Sequence, residues 1–490
     1  MNNEVQLITY VDRLSGGGFQ DLRNLLDGPL RGLFGGVHVL PFYHAIDGAD
    51  AGFDPIDHTR VDPRLGCWED LAALGGRVDL MADVIVNHVS TQSEPFQDYS
   101  RLGASSRYNG MFLTMGAVFP DGATERDLLG IYRPRPGLPF SWTTLACGER
   151  HLLWTTFTAQ QADLDLGHPE TIAYLDRILR TLAGGGIRMV RLDAVGYAVK
   201  KAGSRCFMLP ETFAFIRRFR DQARALGMEV LVEVHSHYLE QLRIAREVDW
   251  IYDFALPPLV LHALLAADPG PLRRWIELRP ANAVTVLDTH DGIGIVDAGA
   301  DAADPAGRPG LMAPEQLDHL VRRIHANSGG QSLKATGRAA ANVDLYQVNC
   351  TFYDALGRDD RAYLLARALQ FFLPGIPQVY YVGLLAGGND MELLARTGVG
   401  RDINRHYYTA GEVAADLERP VVRGLLELIR LRNRHPAFHG QFSHEAPGGS
   451  ALRLEWRNGE HRASLEVDFR AGSGELRCTG VDQERLPSLG

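Results

Sequence analysis

The sequence of 490 residues is poor in cysteine and has no long apolar run. Its five cysteines are widely spaced, and no pair has the C-x-x-C spacing of a zinc site. We therefore expect reduced thiols and a cytoplasmic protein. No window approaches the roughly 18 consecutive apolar residues of a membrane helix. The first residues also lack the basic start and apolar core of a signal peptide, so we expect no membrane partner.

An excess of positive charge is also missing, since 50 Lys and Arg residues face 60 Asp and Glu residues for a formal net charge of -10. A nucleic-acid partner would favour a basic face, so we expect no nucleic acid to bind. The acidic stretch 54–64 lacks the spacing of a calcium-binding EF-hand loop. Nucleotide-binding loops and Ser–His–Asp arrangements are absent as well. The balanced composition is typical of a soluble globular enzyme.

Eight short apolar runs recur along the chain and predict eight strands. They span 5–12, 36–43, 80–88, 187–195, 229–235, 249–255, 282–291 and 376–383. Segments of helical periodicity, such as 169–184 and 211–227, lie between most of them. This alternation indicates an α/β protein with a parallel sheet, and eight units indicate a (β/α)₈ TIM barrel. A doubly wound sheet would use fewer strands and usually a Gly-rich phosphate turn, which is absent.

Two intervals between strands are too long for simple loops, and we interpret them as insertions after strands 3 and 7. The stretch 420–435 has the pattern of the last barrel helix, and the alternating segments after it predict a small C-terminal antiparallel β domain. The expected units are barrel segments at 1–88, 168–291 and 361–435, insertions at 89–167 and 292–360, and the β domain at 436–490.

Polar side chains follow several of the predicted strands at the point where each strand ends. Arg191 and Asp193 share one face of the strand IRMVRLDAV, and Glu233 and His235 share a face of the next strand. The seventh strand ends in His290 and Asp291, and the third ends in Asp83, Asn87 and His88. A single carboxylate of this kind is equally well explained by a structural ion pair. Four strands that end alike favour a catalytic site at the mouth of the barrel.

Two carboxylates on neighbouring strands suit glycosyl transfer, since the pair in retaining enzymes stands about 5–5.5 Å apart. Asp193 would attack the anomeric carbon, and we expect Arg191 beside it to lower its pKa. Glu233 would protonate the leaving oxygen and should lie in a less polar or more negative setting. Asp291 could bind sugar hydroxyls and stabilise the transition state.

The segments DVIVNH, IRMVRLDAV, LVEVH and VTVLDTHD resemble the four short motifs of glycoside hydrolase family 13, the α-amylase superfamily. The resemblance implies that Asp193 is the nucleophile, Glu233 the general acid/base and Asp291 the transition-state stabiliser. It further implies that the donor glucose is held by His88, Arg191 and His290.

Four further segments, at 48–66, 130–140, 344–349 and 400–408, resemble the sucrose phosphorylases of this family. The resemblance implies the substrates sucrose and phosphate, no cofactor, no metal, transglucosylation as a side activity, and a homodimer in some members. It implies glucose contacts from Asp50, Phe53, Phe157, Gln161 and Arg401. It implies fructose or phosphate contacts from Arg135, Tyr197, His235, Asp344, Tyr346 and Gln347.

The same resemblance implies that a loop changes position during the reaction. Asp344 and Gln347 would face fructose in one state, and Arg135 and Tyr346 would face phosphate in the other. Small residues, among them Gly329, Gly330 and 339–341, could let that loop move.

Several alternatives remain open at this stage. Related phosphorylases act on sucrose 6′-phosphate, glucosylglycerol or glucosylglycerate, and hydrolases or transglucosidases share the donor site. A charged acceptor would need an extra cation near Asp344, and the segment DLYQ supplies none locally, which favours fructose. A non-catalytic amylase-like scaffold would lose the carboxylates and carry a membrane helix, whereas this chain keeps Asp193, Glu233 and Asp291.

Overall fold

Short strands and helices alternate along most of the chain in the computed structural model, which describes residues 1–48, 50–133, 137–301, 307–336, 347–481 and 488–489. The strands are β1 (Gln6–Thr9), β2 (Gly36–Val39), β3 (Tyr43–His44), β4 (Asp57–Val61), β5 (Asp79–Ile85), β6 (His88–Ser90), β7 (Phe140–Thr144), β8 (Arg150–Trp154), β9 (Gln161–Asp163), β10 (Met189–Asp193), β11 (Glu229–Val232), β12 (Trp250–Asp253), β13 (Ala283–Thr285), β14 (Ile293–Gly294), β15 (Gln347–Val348), β16 (Ile376–Tyr380), β17 (Gln441–Gly448), β18 (Ala451–Asn458), β19 (His461–Asp468) and β20 (Ser473–Cys478).

The α-helices are α1 (Val11–Ser15), α2 (Phe19–Asp27), α3 (Trp68–Gly75), α4 (Glu94–Leu102), α5 (Met115–Val118), α6 (Glu125–Gly130), α7 (Pro169–Gly184), α8 (Pro210–Ala225), α9 (Tyr238–Ala245), α10 (Leu256–Ala266), α11 (Gly270–Leu278), α12 (Pro314–Asn327), α13 (Gln331–Thr336), α14 (Phe352–Ala355), α15 (Asp360–Phe372), α16 (Tyr381–Leu384), α17 (Met391–Thr397), α18 (Ala410–Leu417) and α19 (Pro420–Arg434). Short 3₁₀ turns lie at Gly103–Ser105, Val195–Tyr197, Gly400–Asn404 and Pro436–His439.

Eight parallel strands close into a barrel in the order β1, β2, β5, β10, β11, β12, β13 and β16. Each lies within one of the eight predicted runs or extends it by one residue, so the predicted (β/α)₈ barrel is confirmed. The register places Arg191 of β10 opposite Asp83 of β5 and Leu231 of β11. The side chains at the carboxyl ends of β5, β10 and β11 therefore meet at one mouth of the barrel.

The helices around the barrel bury apolar residues that recur at helical spacing in the sequence. In α7, Tyr174, Leu175, Ile178, Leu179 and Leu182 are buried at three- and four-residue spacing. The helix begins with Pro169 after His168, whose side chain accepts a hydrogen bond from the Glu170 amide, and it ends at paired glycines. Its bounds match the sequence prediction. In the described part of the chain, no helix is both long and apolar enough to cross a membrane.

Both predicted insertions are present. The first follows β5 and contains the antiparallel pairs β6–β9 and β7–β8. The second follows β13 and contains the pair β14–β15 together with α12 and α13. The six residue ranges expected as structural units stay a prediction.

The C-terminal segment forms a four-stranded antiparallel sheet in the order β17–β18–β19–β20. Alternate residues of β18, namely Leu452, Leu454 and Trp456, are buried. The Trp456 indole donates a 2.7 Å hydrogen bond to the Phe372 carbonyl at the end of α15. The predicted antiparallel C-terminal sheet is confirmed, and the sheet has two strands, β17 and β20, beyond the two that alternation indicated.

Candidate active site

The carboxyl ends of the barrel strands surround a cavity with an empty volume of about 510 Å³. It is lined by Asp50, Phe53, His88, Phe157, Gln161, Asp193, Ala194, Tyr197, Glu233, His235, His290, Asp291, Gln347 and Arg401. The lining thus includes every predicted site residue that the structure describes, with the exception of Arg191. That arginine lies beneath the carboxylates and is 2% exposed. Arg135, Asp344 and Tyr346 lie outside the described residues.

Arg191 is the shared partner of the two carboxylates predicted to react. Its Nη1 donates a 2.9 Å hydrogen bond to Asp193 Oδ1, and its Nη2 lies 3.8 Å from Glu233 Oε2. Nη1 also donates to Asp83, which is fully buried and accepts a 2.9 Å hydrogen bond from His38 Nε2. Because one guanidinium reaches both Asp193 and Glu233, the two carboxylates face the same small volume at the barrel mouth.

Arg191 lowers the pKa of Asp193 as expected, but it does not set the net direction. Burial raises the pKa of Asp193 well above its ordinary value. Arg191 opposes this rise, but Glu233, Asp83 and Asp291 add further negative charge around the carboxyl. Burial and the surrounding carboxylates therefore favour the protonated form of Asp193.

Asp291 has the opposite electrostatic setting, because it lies directly beside a cation. Arg401 Nη1 is 2.7 Å from Asp291 Oδ1 and 3.6 Å from Asp50 Oδ2. Burial alone would raise the pKa of Asp291, but Arg401 and the neighbouring histidines outweigh burial, and the pKa lies well below its ordinary value. Asp291 is therefore ionised at neutral pH.

Arg405 is a functional candidate that the sequence interpretation missed. Its side chain is fully buried, lies 3.7 Å from Asp50 and donates a 2.9 Å hydrogen bond to the His290 carbonyl. It belongs to the same segment, GRDINRHYY, that supplied Arg401. The sequence did contain a signal for Arg405, because it lies four residues after Arg401 in the same motif.

Aromatic rings form the apolar walls of the cavity. Phe53 stacks on His290 with ring centroids 4.6 Å apart and an interplanar angle of 9°. Phe157 contacts the rings of His88 and Tyr197, each with a centroid separation of 5.3 Å. Gln161 Nε2 lies 3.0 Å from His88 Nε2. This combination of flat apolar surface and directed polar groups suits a sugar ring.

A buried ammonium group supports the His88 side of the cavity, and the sequence did not predict it. Lys200 Nζ lies 2.5 Å from Asp163 and donates a 2.6 Å hydrogen bond to Asn87 Oδ1. The Asn87 amide lies 3.2 Å from His88 Nδ1. Asp163 belongs to β9 in the first insertion, so Lys200 joins that insertion to the barrel at the site.

On the other side of the cavity, His235 is held by its own set of partners. Its Nδ1 lies 2.8 Å from Asp297 Oδ2, its Nε2 lies 3.7 Å from Glu233 Oε1, and its ring stacks on Phe254 at 3.9 Å. Gln347 belongs to β15 and is 8% exposed. Asp297 and Phe254 were not predicted as site residues.

Glu233, His235 and Asp291 present ligand-type atoms within 4.8 Å of one another. Two of the three already lie beside arginines, since Asp291 contacts Arg401 and Glu233 faces Arg191. We interpret the set as substrate-facing groups, because cations of the chain neutralise the carboxylates. The expected absence of a metal stays a prediction.

Comparisons with known proteins agree with this geometry. Residues 32–243 match the family model described as Alpha amylase, catalytic domain. The chain is 58% identical over 480 residues to a protein of Agrobacterium vitis named sucrose phosphorylase, covering 98% of each chain. It is 52% identical over 481 residues to a sucrose phosphorylase of Bifidobacterium adolescentis, covering 98% of this chain and 95% of the relative.

A solved structure extends the likeness to three dimensions. The crystal structure of sucrose 6F-phosphate phosphorylase from Thermoanaerobacter thermosaccharolyticum matches with a TM-score of 0.89 at 36% identity, covering 99% of this chain and 96% of that one. The barrel and the strand-end carboxylates agree with these full-length matches. The chain therefore belongs to the family of the sucrose phosphorylases and related phosphorylases, within the α-amylase superfamily.

Proposed function

We propose that the protein is a retaining sucrose phosphorylase that converts sucrose and phosphate into α-D-glucose 1-phosphate and D-fructose. One observation carries the proposal: a single cavity is lined by Asp193, Glu233 and Asp291 together with seven of the eight residues expected to contact glucose, in a chain 58% identical to a protein named sucrose phosphorylase. Transglucosylation would follow when another hydroxyl compound takes the place of phosphate.

In the first displacement, Asp193 attacks the anomeric carbon of the glucosyl unit and forms a β-glucosyl ester. Glu233 gives its proton to the departing fructose oxygen, so charge does not accumulate on the leaving group. This step needs Asp193 ionised and the proton on Glu233. Arg191 donates a hydrogen bond to Asp193 and opposes the rise in its pKa, so it favours the ionised form that attacks.

Asp291 and the neighbouring arginines act on the sugar rather than on the leaving group. The ionised Asp291 stabilises the positive charge that develops on the anomeric centre in the transition state. Asp50 and Arg401 close the end of the glucose pocket and fix its depth. His88, His290 and Gln161 direct hydrogen bonds to hydroxyl groups, and Phe53 and Phe157 pack against the ring.

In the second displacement, phosphate attacks the glucosyl ester and releases Asp193. Glu233 takes up the proton of the attacking phosphate, and two inversions at the anomeric carbon retain the α configuration. A phosphate anion among carboxylates needs cations, and the resemblance assigns this role to Arg135, assisted by Tyr346 and His235. Asp344, Gln347 and Tyr197 would contact the fructose unit in the first half of the reaction.

The test measures glucose 1-phosphate and free glucose released from sucrose, with and without phosphate. We expect glucose 1-phosphate that depends on phosphate and forms in equal amount with fructose. Free glucose alone would make the protein a hydrolase. Turnover of sucrose 6′-phosphate, glucosylglycerol or glucosylglycerate, but not of sucrose, would keep the donor chemistry and overturn the assigned substrate.

Phosphate is the co-substrate in this proposal, and the reaction draws on no cofactor. The cytoplasmic location and the homodimer expected from the sequence stay predictions.

A further inference from the structure

A fully buried carboxylate, Asp297, lies behind the acceptor side of the cavity, shortly after β14. It accepts three hydrogen bonds: from His235 Nδ1 at 2.8 Å, from the Ser236 amide at 3.0 Å and from Gln241 Nε2 at 2.9 Å. Its side chain does not line the cavity. Asp297 is therefore placed to act on the reaction through His235, which it contacts, rather than by touching the substrate.

The chain makes room for this contact with a glycine. A Cβ atom on Gly294 would lie 2.1 Å from Asp297 Oδ2 and 3.1 Å from His235 Nδ1. Gly294 also pairs with Gln347 in the two-stranded β14–β15 sheet. The close approach of backbone, carboxylate and imidazole ties the His235–Asp297 pair to the strand that carries a predicted acceptor contact.

We propose that Asp297 is a positioning residue that keeps His235 as an imidazolium, with Nδ1–H donated to Asp297 and Nε2–H directed to the cavity, so that His235 is a second cation for the attacking phosphate. The inference rests on the proposed function and deepens it. A phosphate anion must approach Asp193, Glu233 and Asp291, while Arg191 and Arg401 already contact carboxylates. A further cation at the edge of the cavity lowers the cost of that approach.

The groups around His235 favour its charged form. Glu233 faces it from the end of β11, Asp291 from the segment after β13, and Asp297 from the segment after β14, while the uncharged ring of Phe254 covers one face. Burial lowers the pKa of His235, but the carboxylates outweigh burial, with Asp297 first, and the pKa lies above its ordinary value. His235 is therefore charged over the pH range below that raised pKa and loses its charge above it.

The first experiment compares the wild type with Asp297→Asn, which keeps the shape and removes the charge. We expect the phosphate KM at pH 7.5 to rise about two- to tenfold, because a one-unit fall in the His235 pKa lowers the charged fraction by at most about tenfold. Sucrose hydrolysis without phosphate should change less than about threefold, because Asp297 does not touch the donor site. Phosphate itself changes its ionisation in this pH range, and this change affects both measurements equally. We therefore interpret only the difference between the phosphate KM values of the two proteins across pH 6–8.

Gln241→Met is the matched control, since it removes another hydrogen bond to Asp297 and leaves the carboxylate charged. Its pH profile for phosphate should match that of the wild type. Equal losses in Asp297→Asn and Gln241→Met, or equal losses for phosphate and for a neutral acceptor, would reduce Asp297 to a structural role and overturn the proposal.

A second measurement is independent of turnover. Histidine ¹⁵N spectra give the pKa of His235 directly, and the signal that disappears in His235→Gln identifies it among the 17 histidines. We expect a pKa above the ordinary value in the wild type and a fall of at least about one unit in Asp297→Asn. An ordinary or lower pKa in the wild type overturns the inference, even if Asp297→Asn does not fold. Absence of glucose 1-phosphate from the wild type would instead refute the proposed function.

Discussion

The two halves of the cavity are built differently. On the glucose side, Asp193 and Asp291 each accept a close contact from an arginine, Arg191 or Arg401. On the proposed acceptor side, the described polar groups are His235, Tyr197 and Gln347, and the imidazole of His235 lies 2.8 Å from the buried carboxylate of Asp297. Among the described residues, permanently charged arginines fix the first half, and the second half depends on a histidine that titrates. Arg135, the arginine proposed for phosphate, lies outside them.

This difference matches the part of the substrate that the named relatives share and the part in which they differ. The relatives named above are all phosphorylases of sucrose or of sucrose 6F-phosphate, and those two names differ in the acceptor part of the substrate. A rigid, charge-paired donor pocket carries the common glucosyl chemistry. An acceptor pocket whose described residues carry fewer fixed charges can change partner without disturbing that chemistry.

Asp193→Asn should have the largest effect, because it removes the nucleophile and leaves the shape of the glucose side unchanged. We expect kcat for glucose 1-phosphate formation to fall by about 10⁴-fold or more. Steady-state release of glucose 1-phosphate from sucrose measures it.

Asp176→Asn is the control for that substitution, since Asp176 is an exposed carboxylate paired with Arg180 on the surface of α7. Its kcat should stay within about twofold of the wild type. If Asp193→Asn kept a tenth of the wild-type kcat, Asp193 would not be the nucleophile.

Lys200→Met should destabilise the protein by about 3–5 kcal/mol, because it leaves the buried Asp163 without its cation. The side chains of Lys200 and Asp163 are 1% and 0% exposed, so solvent cannot replace the lost partner. Chemical denaturation monitored by circular dichroism measures the free energy of unfolding. Loss of the Asn87 contact should also raise the KM for sucrose, since His88 lies next to Asn87.

The neighbouring Lys201→Met provides a matched comparison. Lys201 pairs with Glu211 at the surface, and its side chain is 62% exposed, so its removal should cost at most about 1 kcal/mol. Equal losses of stability in the two variants would contradict the structural role of Lys200.

The sequence predicted the placement of the residues on the proposed glucose side better than that of their partners, because the signals for these residues are local. Alternation within a strand places Arg191 and Asp193 on one face two residues apart, and strand ends mark Glu233 and Asp291. The partners Lys200 and Asn87 are 113 residues apart, and His235 and Asp297 are 62 apart, so only the closed barrel brings them together. The net direction of the Asp193 pKa also escaped the sequence, because it depends first on how deeply the closed barrel buries that carboxyl.

The smallest effect is expected on the acceptor side, at Gln347. Its Nε2 is buried without a hydrogen-bond partner among the described residues, and the side chain lines the cavity. An unsatisfied donor in this position is suited to a substrate oxygen, at a gain of about 0.5–1.5 kcal/mol. Gln347→Ala should therefore raise the acceptor KM about two- to tenfold, measured with phosphate in one direction and fructose in the other.

The same comparison is sharpened by Gln347→Glu, which adds a negative charge at the same position. The KM for phosphate should rise more than the KM for fructose, because the new carboxylate repels only the phosphate anion. Hydrolysis at saturating sucrose without phosphate should stay close to the wild-type rate in both variants, because the lost contact to the fructose unit would appear in the KM for sucrose. If hydrolysis fell as far as acceptor use, Gln347 would act on the donor, and the division of the cavity into two halves would be wrong.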